Sequence, residues 1–178
     1  MKYKKIIAIA VVVCLLGAGA YIIHAATIIS IDPEKFYPVA YVKDGDTFIV
    51  KIGRHEAAVR MLGIDTPETV DPRKPVQCYG KEASDETKSL LTGQSVRLML
   101  NPNREEKDKY GRYLAYVYRE DKMFVNKFLL ENGYAHEYTF GSPYMFQKEF
   151  REVESQAKVV GKGLWGECPE VISPKSKK

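Results

Sequence analysis

The sequence predicts an α+β fold, mainly β, in which a five-stranded Greek-key barrel of the OB type carries three helices. Three observations lead to this prediction. Three short apolar runs separated by turn residues open the folded part of the chain, with an Asp-Gly hairpin signal between the first two. Two further strand-like runs follow a first helical pattern, and two more helical patterns end the fold. An N-terminal apolar leader helix precedes the barrel.

The first three strands are predicted near 39–42, 47–52 and 57–64. Asp44 and Gly45 form the first turn, and Gly53 marks the second. In the third strand Val59 and Met61 alternate with Arg60. Because successive side chains in a strand point to opposite faces, Arg60 is expected to face a cleft while its neighbours enter the core.

The remaining elements follow in order. Apolar spacing predicts a helix over 79–91, then strands over 96–100 and 113–118, then a second helix over 123–132. Ser142 and Pro143 predict the cap and first turn of a third helix, which Gly161 ends. The buried stripe of that helix is predicted to be Phe146, Phe150, Val153, Ala157 and Val160.

The two ends of the chain differ from its body. Residues 1–26 combine three lysines with an uncharged run from Ile6 to Ile23, which predicts a signal peptide or a retained membrane anchor. A spacer over 27–35, the folded domain over 36–168 and a basic tail over 169–178 follow. Either fate of the leader places the domain outside the cytoplasm, secreted or anchored. Subtracting the six terminal lysines from the net charge of +4 leaves −2, so polyanion binding requires a local patch.

Four acidic residues lie at predicted strand ends: Asp44 and Asp46 after the first strand, Asp65 and Glu68 after the third. Carboxylates brought together repel one another unless a cation or proton holds them. An all-oxygen cluster suits a hard cation such as calcium. The alternative is ordinary turn chemistry, in which the Asp-Thr-Pro-Glu sequence simply starts a helix with Pro67 in its first turn.

A second cluster reads Asp108, Lys109, Tyr110, Gly111, Arg112. Arg112 can grip phosphate oxygens two at a time, as can Arg60. Two arginines, a carboxylate capable of accepting a proton and a cation site form a set that can hold a phosphodiester.

These stretches resemble the staphylococcal nuclease (thermonuclease) family. The resemblance rests on 42–47, 59–68 and 108–116, and extends from about 36 to 165. It implies a calcium ion held by the Asp46 and Asp65 carboxylates and by the main-chain carbonyl of Thr66. Asp44 and Asp108 are expected to support the site from behind.

The resemblance also implies the chemistry: calcium-dependent hydrolysis of DNA and RNA, single-stranded or frayed, leaving 3′-phosphates. Arg60 and Arg112 match phosphate-binding arginines, and Glu68 matches the glutamate that activates or positions the attacking water. Further substrate contacts are expected from Lys109, Tyr110 and Tyr138, whereas Phe140 stands where the family has a second tyrosine. No protein partner is implied, and a retained leader would add the membrane.

Two rival functions remain at this stage. One is an OB barrel that binds nucleic acid without cutting it. The other is a surface domain whose acids hold calcium only for stability, although Arg60 and Arg112 would then have no role beside the acids. Cys78 and Cys168 are predicted to form a disulfide because an exported chain meets an oxidising compartment. His55 and His136 are interpreted as surface or packing residues.

Overall fold

The computed structural model describes residues 30–69, 75–102 and 104–168. Within those ranges, the residues from Asp32 onwards belong to one compact unit. The predicted leader over 1–26 and basic tail over 169–178 lie outside the described residues, as does the first part of the predicted spacer, 27–29. Among the residues that are described, no helix is both long and apolar enough to cross a membrane.

The predicted α+β fold is confirmed, with a closed five-stranded barrel and helices around it. The elements are β1 (Phe36–Asp44), β2 (Thr47–Ile52), β3 (His55–Met61), β4 (Ile64–Asp65), α1 (Gly80–Leu91), β5 (Ser95–Leu100), β6 (Tyr113–Arg119), α2 (Val125–Glu131), β7 (His136–Glu137), α3 (Gln147–Val159) and the short α4 (Leu164–Glu167).

The barrel closes in the order β1-β2-β3-β6-β5. All neighbours are antiparallel except β3 and β6, which pair in parallel with Val59 opposite Tyr113. This parallel pair brings the start of β6 beside the end of β3. The residues that flank those two points therefore meet at one end of the barrel, as the site described below requires.

The third strand ends earlier than the sequence predicts. The structure stops β3 at Met61 and begins the short β4 at Ile64, because Gly63 adopts a φ of +82°. β4 leaves the barrel and pairs with β7, with Asp65 opposite His136. Residues 66–69 are irregular, so the alternative in which Asp-Thr-Pro-Glu starts a helix is wrong.

The barrel core is apolar and fully enclosed, and aromatic rings join it to the helices. Phe48, Val50 and Val59 on the first hairpins have no exposed surface. Tyr116 packs edge-on against Phe146 at 4.7 Å between ring centroids. Burial raises the pKa of Tyr116 to about 12, so this phenol stays neutral across the physiological range.

The predicted start of the third helix is wrong. α3 begins at Gln147, and Ser142 and Pro143 precede it in an irregular segment. Tertiary contacts hold that segment: the Tyr144 hydroxyl lies 3.2 Å from the Gly63 carbonyl, and the Met145 amide donates to Asn101 Oδ1 at 3.1 Å. These bonds compensate for the helical ones that the segment forgoes.

The buried stripe of α3 is confirmed in its centre and wrong at both ends. Phe146 is half-buried and lies just before the first helical residue. Phe150, Val153 and Ala157 are buried. Val160 is 66% exposed because it lies beyond the last helical residue, just before the turn at Gly161.

The predicted disulfide is confirmed: Cys78 is bonded to Cys168 across a sequence separation of 90 residues. It ties the segment before α1 to the end of α4. His55 is exposed, and His136 packs edge-on against Trp165 with ring centroids 4.8 Å apart, as expected of a packing residue.

Candidate active site

One polar cleft of about 220 Å³ opens at the end of the barrel where β1, β2, β3 and β6 meet. It brings together the acids at the strand ends and both predicted arginines. The lining is Lys43, Asp44, Asp46, Thr47, Arg60, Asp65, Thr66, Glu68 and Arg112.

The turn that carries Asp46 is fixed by close packing. The predicted hairpin forms, with Asp44 opposite Thr47. Thr87 of α1 is fully buried and donates its hydroxyl to the Gly45 carbonyl at 2.6 Å. A Cβ on Gly45 would lie 2.6 Å from Thr66 Oγ1, so only glycine fits here. The backbone of the turn is thus held against both α1 and the Thr66 segment.

Several polar groups hold the carboxylate of Asp46 in place. Its Oδ1 accepts from the Thr47 hydroxyl at 2.9 Å. Its Oδ2 accepts from the Thr66 amide at 3.0 Å and from the Thr66 hydroxyl at 3.2 Å. The side chain is only 6% exposed. Asp46 is therefore rigid and joins the first turn to the segment after β4.

Arg60 bridges the two predicted metal-binding aspartates. Its Nη1 pairs with Asp46 Oδ2, and its Nη2 pairs with Asp65 Oδ1 at 2.5 Å. Pairing of Thr47 with Arg60 in the β2–β3 ladder sets this geometry, because it places the arginine next to the turn that carries Asp46. Arg60 faces the cleft while Val59 and Met61 are buried, which confirms the predicted alternation.

Asp44 and Gln77 fix the segment that contains Glu68. Asp44 Oδ1 accepts from the Gly45 amide at 2.8 Å and from the Thr69 hydroxyl at 2.6 Å, so it joins the first turn to the segment that contains Glu68. The Glu68 amide donates to Gln77 Oε1 at 2.8 Å, and the Gln77 amide donates to the Glu68 carbonyl at 3.0 Å.

Asp108 supports Arg112. Its Oδ2 accepts from Arg112 Nε at 2.7 Å and pairs with Nη2 at 2.6 Å. Its Oδ1 accepts from the backbone amides of Tyr110 and Arg112 at 2.9 Å and 3.0 Å. The turn and the guanidinium are thus held by one carboxylate.

The two guanidinium groups lie close enough to repel each other. Burial lowers the pKa of Arg60, attraction by Asp65 opposes this, and the charge of Arg112 lowers it further. Arg60 remains charged despite this, because arginine side chains are not deprotonated in proteins. Two cations held together by fixed carboxylates form an electrostatic site for an anion with several oxygens, such as a phosphate group.

The cleft offers the oxygen ligands that a hard cation prefers, but they are arranged around Arg60. In the described ranges, no group of three or more His, Cys, Asp or Glu side chains is close enough to hold a metal ion. Asp46 and Asp65 converge instead on one guanidinium. Two carboxylates and a carbonyl fit calcium by chemical type, and Arg60 occupies one oxygen of each carboxylate.

Three predicted substrate residues lie outside the lining of the cleft. Lys109 and Tyr110 are exposed beside it, and the Tyr110 ring centroid lies 5.5 Å from Cζ of Arg112. Tyr138 is half-buried, and its amide donates to the Gly63 carbonyl at 3.0 Å. Phe140 is 71% exposed. Neither the three predicted substrate residues nor Phe140 is placed in the cleft by these contacts.

Sequence reasoning missed four residues that shape the site: Lys43, Thr47, Thr69 and Gln77. Lys43 and Thr47 flank the Asp-Gly-Asp turn, so their position next to it was an available signal. Thr69 and Gln77 act through contacts that no local pattern indicates.

The closed barrel and the cleft define a class of protein: OB-type barrels with a site for a phosphate ester. Comparison with known families agrees, since the family model described as Staphylococcal nuclease homologue matches residues 58–167. The chain belongs to the staphylococcal nuclease family.

Individual relatives support the same assignment. The chain is 46% identical over 132 residues to the thermonuclease of Staphylococcus hyicus, covering 74% of this chain and 76% of the relative. It is 54% identical over 95 residues to the thermonuclease of Staphylococcus intermedius, covering 53% and 55%. It is 37% identical over 131 residues to the endonuclease YncB of Bacillus subtilis (strain 168), covering 73% and 61%. The protein is therefore a nuclease, a hydrolase of phosphodiester bonds in nucleic acid.

Proposed function

We propose that the protein is a calcium-dependent nuclease that acts outside the cytoplasm, hydrolyses both DNA and RNA, and leaves 3′-phosphates. The observation that carries the proposal is the cleft in which Arg60 and Arg112 lie with Asp46, Asp65 and Glu68. One phosphodiester can contact groups of both charges there. The extracytoplasmic location rests on the sequence of the leader alone.

Calcium would be held by the Asp46 and Asp65 carboxylates and the Thr66 carbonyl. When bound, the ion would neutralise phosphate charge and orient the attacking water. The all-oxygen chemistry of these donors supports this assignment.

The role of the two arginines is to bind the phosphate and stabilise its charge. Arg60 and Arg112 bind its oxygens and stabilise the additional negative charge of a five-coordinate phosphorus, which is greater in the transition state than in the substrate. Glu68 accepts the proton of the water as its oxygen attacks phosphorus. The bond to the 5′-oxygen breaks, and that oxygen takes a proton from solvent water and leaves as a hydroxyl. The phosphate then stays on the 3′-oxygen of the upstream nucleotide.

The cleft is suited to the phosphate group, which DNA and RNA share, so we expect it to accept both. Its lining consists of charged and small polar side chains suited to phosphate. Contacts to phosphate position a nucleic acid without reading its bases. Lys109, Tyr110 and Tyr138 would add backbone and stacking contacts beside the cleft, which need only a ring or a positive charge.

The test is a cleavage assay with the purified protein on single-stranded DNA and RNA oligonucleotides, in calcium or in chelator. We expect cleavage only with calcium, 3′-phosphate ends by mass spectrometry, and a loss of about two to three decades in kcat for Glu68→Gln and for Arg60→Ala. Glu120→Gln, an exposed acid in a distant turn, should match the wild type. Cleavage in chelator, or full activity of Glu68→Gln and Arg60→Ala, would contradict the proposal; binding without cleavage would support the non-catalytic barrel instead.

A further inference from the structure

We propose that Gln77 is a positioning residue for the reaction: it clamps the peptide of Glu68 and so fixes where the Glu68 carboxylate enters the cleft. The inference rests on the proposed function, since Glu68 is the group that Gln77 positions. Gln77 itself is not part of the cleft lining, so its effect has to pass through Glu68.

The clamp has two points of contact. The side-chain oxygen of Gln77 accepts from the Glu68 amide at 2.8 Å, and the Gln77 amide donates to the Glu68 carbonyl at 3.0 Å. Both backbone polar groups of Glu68 are therefore bonded to a single residue, nine positions further along the chain. A two-point contact fixes the orientation of a peptide as well as its distance.

The start of α1 also packs closely against this segment. A Cβ built on Gly80 would lie 3.2 Å from the Glu68 carbonyl oxygen and 2.9 Å from Thr69 Cγ2. Only a residue without a side chain allows the first turn of the helix to approach so closely. The hydroxyl of Thr69 donates to Asp44 and fixes the next residue.

Gln77 is itself anchored. The residue after it, Cys78, is covalently bonded to Cys168. Tyr79 follows with a φ of +66°, a left-handed conformation that non-glycine residues rarely adopt, and its ring lies 5.7 Å from that of Tyr134. Such strain persists only where the surrounding structure over-determines it, and it is found preferentially at functional sites.

Precision at this position affects the rate directly. A general base has to lie within hydrogen-bonding reach of the proton that it accepts. A displacement of about 1 Å can cost up to a hundredfold in rate. Asp46 and Thr66 are bonded to each other independently of Gln77, so the aspartates and the calcium that they would hold are not expected to change with the clamp.

The experiment replaces Gln77 with Met, which removes the acceptor oxygen but keeps the length of the side chain. We expect kcat to fall by about ten- to a hundredfold, with KM, the calcium affinity by titration calorimetry and the melting temperature unchanged. Gln77→Glu, which restores an acceptor oxygen, should recover most of kcat. Val76→Ala, an exposed neighbour, serves as the matched control.

A double variant separates this inference from the proposed function. If Gln77 acts through Glu68, adding Gln77→Met to Glu68→Gln should cause no further loss of kcat. A Gln77→Met enzyme with wild-type kcat, a Gln77→Glu enzyme as slow as Gln77→Met, or additive losses in the double variant would each overturn the inference. Full activity of Glu68→Gln would instead overturn the proposed function.

Discussion

The carboxylate of Asp108 holds both the side chain and the backbone of Arg112, with Oδ2 accepting from Nε at 2.7 Å and Oδ1 from the amide at 3.0 Å. The guanidinium is therefore oriented before a substrate arrives. Because its rotamers are already restricted, less conformational entropy is lost when it binds a phosphate. This relationship makes Asp108 testable separately from the arginine that it supports.

Asp108→Asn should lower kcat/KM by about tenfold, since the amide can still accept from the turn but no longer forms the ion pair. Steady-state kinetics on a short oligonucleotide measures this. Asp121→Asn is the matched control, because Asp121 pairs with Arg119 at the surface, away from the cleft. An unchanged kcat/KM in Asp108→Asn would show that Arg112 orients itself.

The ion pair between Asp108 and Arg112 also predicts that the stability of the fold depends on pH. Burial alone would raise the pKa of Asp108, but hydrogen bonds from the Arg112 side chain and from the Arg112 and Tyr110 amides outweigh it, and the net pKa is lowered. A carboxyl with a lowered folded-state pKa contributes stability above its unfolded value of about 3.9 and loses it as pH falls through the folded value.

Urea unfolding of wild type and Asp108→Asn from pH 7 to pH 2 tests this dependence. The difference in the free energy of unfolding should be constant above about pH 5 and shrink as the medium becomes more acidic. A difference that grows on acidification would contradict the assignment.

The parts of the site that the sequence predicts correctly are those set by local geometry. Strand periodicity places Arg60 towards the cleft, and the Asp-Gly turn places Asp44 and Asp46 at a strand end. No local pattern indicates the parallel pairing of β3 with β6 that brings Arg112 to the site. The family resemblance implied only that Arg112 acts together with Arg60.

The predictions that failed were overruled by contacts between distant residues. Ser142 and Pro143 have good helix-starting chemistry, but Tyr144 is drawn towards the Gly63 carbonyl, 81 positions earlier. The buried Asn126 gave no signal, although its side-chain oxygen accepts from the Val117 amide at 2.9 Å and its nitrogen donates to the Leu62 carbonyl at 2.9 Å. A pattern of residues that are adjacent in the sequence does not indicate hydrogen bonds to distant residues.

Gly63→Ala should be strongly destabilising. The φ of +82° alone costs a non-glycine residue about 1–2 kcal/mol. The added Cβ would also lie 2.7 Å from Cε2 of the buried Tyr144 ring, so the total loss should reach about 3 kcal/mol or more. The comparison is Gly53→Ala, which has a φ of +61° and nothing within 4 Å of the added Cβ. If urea denaturation gives the same loss in the free energy of unfolding for both variants, the contact with Tyr144 adds nothing.

Removal of the disulfide should lower stability without changing the cleft aspartates. For a sequence separation of 90 residues, the chain-entropy model gives about 4–5 kcal/mol for the Cys78→Ser/Cys168→Ser variant. Chemical denaturation measures the loss. Reductant should destabilise the wild type towards the variant and leave the variant unchanged; a variant that responds to reductant would point to a cause other than this bond.

Calcium binding should compete with Arg60 for the aspartates. The guanidinium pairs with Asp46 Oδ2 and Asp65 Oδ1, so it competes with a bound ion for these two carboxylate oxygens. In Arg60→Met the two carboxylates lose their counter-charge, and their mutual repulsion favours a divalent ion. Titration calorimetry without nucleic acid should therefore give a calcium affinity about tenfold higher than that of the wild type, equivalent to about 1.4 kcal/mol.

Arg112→Met provides the comparison for this last prediction, because Arg112 pairs with Asp108 and not with the two aspartates. Its calcium affinity should change much less than that of Arg60→Met, although both variants lose a positive charge from the same cleft. If calcium affinity rises equally in the two variants, the cause is the overall charge of the cleft and not competition for particular oxygens. If Arg60→Met binds calcium no better than the wild type, the aspartates are not the calcium ligands or Arg60 does not compete with the ion, because removal of a competing cation can only strengthen binding at the ligands that it occupied.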